Sequence, residues 1–200
     1  MTDRPELWAA LLPVVDALES QQVPYYVGGS VASSFTGIAR ATQDADLVAD
    51  LRTAHVSRFV QALEESYYIS SDRVRSAVRD RKSFNLIHLE TAFKVDVFVL
   101  PLGAFARKAM DRRVPLEVPE AGRVLDFCSP EDIVLSKLQW YEAGARVSDR
   151  QWYDLQGVLR LQGELLDLDY LRRWGRVLGV GELLEKALGE AGLADAEAQG

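Results

Sequence analysis

A chain of 200 residues with 23 Lys and Arg against 30 Asp and Glu, formally −7, has the length of one domain, or of one domain with an appendage. With 48% hydrophobic and 26% charged residues it is no disordered chain, and the acidic balance argues against tight non-specific nucleic-acid binding. The single Cys128 excludes an internal disulfide and a multi-cysteine zinc site, and no apolar run approaches the roughly 18 residues of a membrane span.

Leu7, Leu11, Leu12, Val15 and Leu18 recur at helical spacing and predict a helix over residues 5–20, with Pro5 tolerated in its first turn. This opening lacks the basic flank and small-residue cleavage site of a secretory signal, so a cytoplasmic setting is expected. Pro24 stops the helix. Tyr25-Tyr26-Val27 is a short β-prone run ending in Gly28-Gly29-Ser30, and VASSFTGI then predicts a short helix closed by Gly37. Ala45, Leu47 and Val48 mark a second strand around Asp44 and Asp46, and Thr53 is suited to cap a helix over 54–66. Residues 72–82, DRVRSAVRDRK, hold five Arg and Lys against two Asp. Such a stretch is usually a solvated helix face. With Arg107, Lys108, Arg112 and Arg113 it also offers a cradle for a polyanion such as RNA.

Two alternating runs, SFNLIHLE and FKVDVFVL, separated by Thr91-Ala92, predict a β-hairpin. A helix at 103–111 and two brief strands, VPLEVP and RVLDF, follow around Gly122. At Ser129 the pattern changes. Ser129 caps and Pro130 opens a helix with Glu131 and Asp132 in its first turn, and everything to about residue 190 reads helical. The expected organisation is an α/β part over residues 1–128, a helical part over 129–192 and a frayed tail over 193–200, with no internal repeat.

Three carboxylates stand where structure alone favours apolar residues. Asp44 and Asp46 lie two apart, so on a strand they share a face, and Asp96 interrupts the most apolar strand of the protein. If the two strands are neighbours the three converge, and a self-repelling group of oxygen ligands points to Mg²⁺ or Mn²⁺. Upstream, a strand that ends in Gly28-Gly29-Ser30 and enters a helix presents amides and a hydroxyl suited to phosphate. Phosphate binding beside metal-binding carboxylates is the physical basis of phosphoryl and nucleotidyl transfer.

The text VGGSVASSFTGIARATQDADLV followed by KVDVFV resembles the signature of the DNA-polymerase-β-like nucleotidyltransferase superfamily. The intervening Gly37, Arg40 and Thr42 are similar to the stand-alone bacterial and archaeal members, within them the group that contains AbiE-type toxins of toxin–antitoxin systems. The helical run PEDIVLSKLQWYEAGARVSDRQWYDLQGVL also resembles that group, and the likeness covers residues 23–162. It implies a small mixed sheet flanked by helices, followed by a C-terminal helical bundle. It also implies an Mg²⁺-dependent transfer of a nucleoside monophosphate from a nucleoside triphosphate to an acceptor hydroxyl of RNA, protein or a small molecule. Asp44, Asp46 and Asp96 are then catalytic and metal-binding; Gly28, Gly29, Ser30, Arg40, Thr42 and Lys137 are nucleotide-binding; a cognate antitoxin is an expected partner.

Plainer readings stand beside these. Asp44 can cap a turn, Asp46 can be a solvated edge residue, and Lys94, on the same face as Asp96, can make a surface ion pair with it. Arg40 can pair with Asp44, and Lys137 can be solvated or contact Asp154. Asp149 fits an N-cap or a first turn, His88 a structural position and Cys128 a small buried hydrophobe. A binding module on the same fold, without turnover, is the rival function.

Overall fold

The computed structural model describes residues 5–37 and 42–193. The chain divides into two compact units, Met1–Val31 with Ala41–Cys128 and Ala32–Arg40 with Ser129–Gly200.

The first unit is built on a mixed seven-stranded sheet in the order β3-β4-β5-β2-β1-β7-β6. Its strands are β1 (Tyr25–Val27), β2 (Asp44–Ala49), β3 (Tyr67–Tyr68), β4 (Ser83–His88), β5 (Lys94–Val99), β6 (Val114–Val118) and β7 (Arg123–Phe127). β2 runs antiparallel to β1 and parallel to β5, while β4 and β5 form the expected antiparallel hairpin. Strict alternation gives β2 and β5 two faces. Ala45, Leu47 and Ala49 with Val95, Val97 and Val99 are buried, and Asp44, Asp46 and Val48 with Lys94, Asp96 and Phe98 are half-buried. Helix α1 (Pro5–Glu19) packs Leu7, Leu11, Val14, Val15 and Leu18 inward and touches β2, β5 and α3 (Val56–Leu63). Helix α4 (Ser71–Asp80) packs on α3 and β4, and α5 (Ala104–Asp111) follows the hairpin.

Two local expectations change. Thr53 does not cap an α-helix; Thr53–His55 form a 3₁₀ turn, with the Arg52 amide donating to His55 Nδ1 at 3.2 Å. α3 then ends at Leu63 because its apolar stripe of Val56, Phe59, Val60 and Leu63 ends there. The following Tyr67–Tyr68 is a strand that two residues without alternation do not announce. It is fixed by pairing with Ile87 and His88 and by the Tyr67 hydroxyl donating to the Ala10 carbonyl at 2.7 Å. His88 is buried against that tyrosine and bonds Thr91, a structural position, and Cys128 is a buried free thiol.

The second unit is helical: the end of α2 (Gly29–Thr36), then α6 (Pro130–Ala143), α7 (Asp149–Gln162), α8 (Leu168–Val177) and α9 (Gly181–Ala191). Ser129 Oγ accepts the Asp132 amide and caps α6, and Asp149 lies in the first turn of α7 behind the Ser148 cap. Asp132, fully buried, accepts hydrogen bonds from Ser129 Oγ at 2.8 Å and from the Tyr170 hydroxyl at 2.7 Å, which ties α6 to α8. Gln162 Nε2 donates to the Thr36 carbonyl at 2.7 Å, and a Cβ at Gly37 would come within 3.1 Å of Val158, so the chain there needs glycine for close approach. The tail from Ala194 onward lies outside the described residues. Among the described residues no helix is long and apolar enough to cross a membrane.

Candidate active site

The sheet register does what the spacing of the aspartates asks. β2 and β5 pair in parallel with Asp46 opposite Asp96 and Asp44 opposite Lys94, so the three carboxylates and one ammonium share a face. Asn85 on β4 stands opposite Asp96 on its other side. Thr42, buried at the entry to β2, has its hydroxyl 3.0 Å from both the carbonyl and Oδ1 of Asp44, which fixes that carboxylate.

The glycine turn is laced to the same strand. The Gly28 amide donates to the Asp46 carbonyl at 2.8 Å, extending the β1–β2 ladder to the turn. Gly29 is left-handed at φ 55°, and a Cβ there would lie 1.7 Å from Asp46 Oδ2. Conformation and space therefore both demand glycine at position 29. Gly28 is different: a Cβ there would meet nothing closer than 3.8 Å. Ser30 follows half-buried in the first turn of α2.

Lys94 weighs more at this site than its place in the sequence suggests, and Lys-x-Asp on an alternating strand is the signal that finds it. Its Nζ lies 2.6 Å from Asp96 Oδ2 and 3.6 Å from Asp44 Oδ2. The hydrogen bond to Asp96 holds the ammonium's pKa above the usual lysine value; the charges of Asp96, Asp44 and Asp46 add to this, while partial burial opposes it. Among the described residues no three His, Cys, Asp or Glu side chains are gathered closely enough to hold an ion, so the expected convergence is one of face and register, short of a closed ion cage. The donor chemistry nevertheless suits a hard divalent cation: oxygen ligands only, half-exposed and on one face. Lys94 supplies the positive charge in the present arrangement.

In the helical unit Lys137 is buried, so the solvated alternative does not hold. Its Nζ is 2.9 Å from Asp154 Oδ2 and 3.5 Å from Gln151 Oε1. Arg40 lies outside the described residues.

No family model and no curated protein sequence matches the chain. Solved structures do. ANT(2'')-Ia in complex with adenylyl-2''-tobramycin aligns with a TM-score of 0.55 at 14% identity, over 85% of this chain and 97% of its own. The solution structure of ANT(2'')-Ia gives 0.51 at 13%, covering 88% and 97%. An antigenic nucleotidyltransferase-like protein from Paracoccidioides brasiliensis gives 0.50 at 14%, covering 92% and 93%. The chain has the nucleotidyltransferase fold. Within that fold the Gly28-Gly29-Ser30 turn and the Asp44, Asp46 and Asp96 face belong to the sheet unit.

Proposed function

We propose that the chain is a metal-dependent nucleotidyltransferase that moves a nucleoside monophosphate from a nucleoside triphosphate to an acceptor hydroxyl. The observation that carries this reading is Gly29, a left-handed turn residue seated on the carboxylate of Asp46, whose register partner is Asp96. The Gly28-Gly29-Ser30 turn and the start of α2 hold the triphosphate through amides and a hydroxyl. Asp44, Asp46 and Asp96 would hold Mg²⁺ or Mn²⁺, which when bound neutralises phosphate charge and favours an in-line displacement. Thr42 fixes Asp44 for that role. Asp96 accepts the proton of the acceptor hydroxyl while the hydroxyl oxygen bonds to the α-phosphorus; the bond from the α-phosphorus to the α,β-bridging oxygen breaks and pyrophosphate leaves. The family resemblance also assigns Arg40 and Lys137 to nucleotide binding; Lys137 itself is paired with Asp154.

The same resemblance supports a toxin of a toxin–antitoxin pair, with an RNA acceptor, a cognate antitoxin and a cytoplasmic setting as its finer form. A tobramycin adduct bound to a structural neighbour supports a small-molecule hydroxyl as the acceptor. The test is pyrophosphate release from each nucleoside triphosphate with Mg²⁺, with EDTA, and in Asp46→Asn. The expected result is release that needs both the metal and Asp46. One observation favours a second reading, a nucleotide- or partner-binding module without turnover: Lys94 already sits among the carboxylates. Nucleotide binding without pyrophosphate release, whichever acceptor is supplied, is what that reading expects.

A further inference from the structure

We infer that Lys94 is a built-in competitor for the divalent ion, a tethered ammonium that occupies the acidic face until metal displaces it and so sets the protein's metal affinity; the inference rests on the proposed role of Asp44, Asp46 and Asp96 as ion ligands.

Three features carry it. Lys94 lies on β5 two residues before Asp96, so the pleat of the strand itself puts ammonium and carboxylate on one face. The β2–β5 register puts Asp44 directly opposite Lys94, which lets one ammonium reach two of the three carboxylates, at 2.6 Å and 3.6 Å. The pair is half-exposed, so the lysine's four-carbon stem can carry its charge into water when a stronger cation arrives. A dication and an ammonium cannot share these oxygens: their mutual repulsion at a few ångströms adds to the loss of the hydrogen bond to Asp96. Lys94 thereby removes like-charge repulsion from the metal-free protein and raises the ion concentration needed for loading. It acts through the carboxylates it occupies.

The experiment is Mn²⁺ binding without nucleotide, read by the free-ion electron paramagnetic resonance signal, on the full chain as wild type, Lys94→Gln, Lys94→Arg and Asp46→Asn. Metal-free and Mn²⁺-saturated melting temperatures are recorded on the same samples. Lys94→Gln is expected to bind Mn²⁺ about five- to tenfold more tightly, the equivalent of breaking one partly exposed charge-assisted pair. Lys94→Arg, which keeps the charge, is expected to stay near wild type. Lys94→Gln should also melt lower without metal, where the three carboxylates lose their counter-charge, and regain the difference with Mn²⁺. Unchanged or weaker Mn²⁺ binding in Lys94→Gln, with binding still lost in Asp46→Asn, overturns the competitor role and leaves the carboxylate reading standing. Mn²⁺ binding that is absent from wild type, or indifferent to Asp46→Asn, overturns both.

Discussion

Two lysine–aspartate pairs, one in each unit, differ in a way that separates exchangeable from fixed charge. In the sheet unit Lys94 and Asp96 lie 2.6 Å apart with side chains 39% and 21% exposed. In the helical unit Lys137 on α6 and Asp154 on α7 lie 2.9 Å apart with side chains 7% and 3% exposed. Water competes for the first pair and screens it, so either partner can be released at small cost. It is nearly absent from the second, where removing one charge leaves its buried mate without that counter-charge. A protein that must admit a cation needs the first kind of pair; a helix junction that must not move is served by the second.

The sharpest way to break the comparison is Lys137→Met. Asp154 is left charged and buried, and urea denaturation should show a loss of about 3–5 kcal/mol. Lys137→Met combined with Asp154→Leu should regain most of it, because an apolar pair of similar volume needs no counter-charge. A single substitution costing under about 1 kcal/mol would show that water reaches the pair after all.

Next comes Gly29→Ala. The left-handed backbone and the encroachment on Asp46 should together cost about 2 kcal/mol in thermal or chemical unfolding and abolish pyrophosphate release. Gly28→Ala, with room for its Cβ, should cost nothing or stabilise by up to about 1 kcal/mol. Equal effects at the two positions would remove the turn's special claim on Asp46.

Alkaline pH probes the sheet unit's buried phenols. Burial, aided by the hydrogen bond to Glu19, pushes the Tyr25 hydroxyl above the usual tyrosine range, and burial likewise raises Tyr67. Raised folded values mean that the native state keeps protons the unfolded chain gives up. Their contribution to stability is whole below about pH 10 and falls as pH rises beyond it. Ultraviolet titration should find these two phenols ionising late, with Tyr25→Phe and Tyr67→Phe each removing one late phase. Full ionisation near pH 10 would contradict their burial.

The smallest stability effect belongs to Asp46→Asn, no more than about 0.5 kcal/mol in either direction, because it removes one charge from a like-charged face. Pyrophosphate release should nevertheless vanish. A large loss of melting temperature with activity retained would make Asp46 structural.

The hairpin of β4 and β5, the Ser129 cap and the shared face of Asp44 and Asp46 were legible because each depends on spacing within one short segment. The meeting of Asp46 with Asp96 was legible only as a condition, since neighbouring strands fifty residues apart leave no local signal of their register. β3 went unread because its two residues take their conformation from β4. Lys137 was hard to place for a related reason. A lysine on an amphipathic helix is solvated by default, and only the partner presented by α7 makes its burial tolerable. The Lys-x-Asp pattern at Lys94 was visible throughout, but its weight depends on Asp44 arriving opposite it.

The pairing of Val27 with Phe127 has a kinetic consequence. β1 is made before β7, so one of its edges finds its partner only when β7 exists, one hundred positions later. Doubling such a loop adds only about 0.6 kcal/mol of closure entropy, so the finished sheet is little the weaker for it. The search for that contact is nonetheless long, and chains rich in distant pairings fold slowly. The β4–β5 hairpin can form early from adjacent sequence, whereas the β1–β7 seam closes late. Until it does, β1 presents an unpaired strand edge of the kind that invites association between chains.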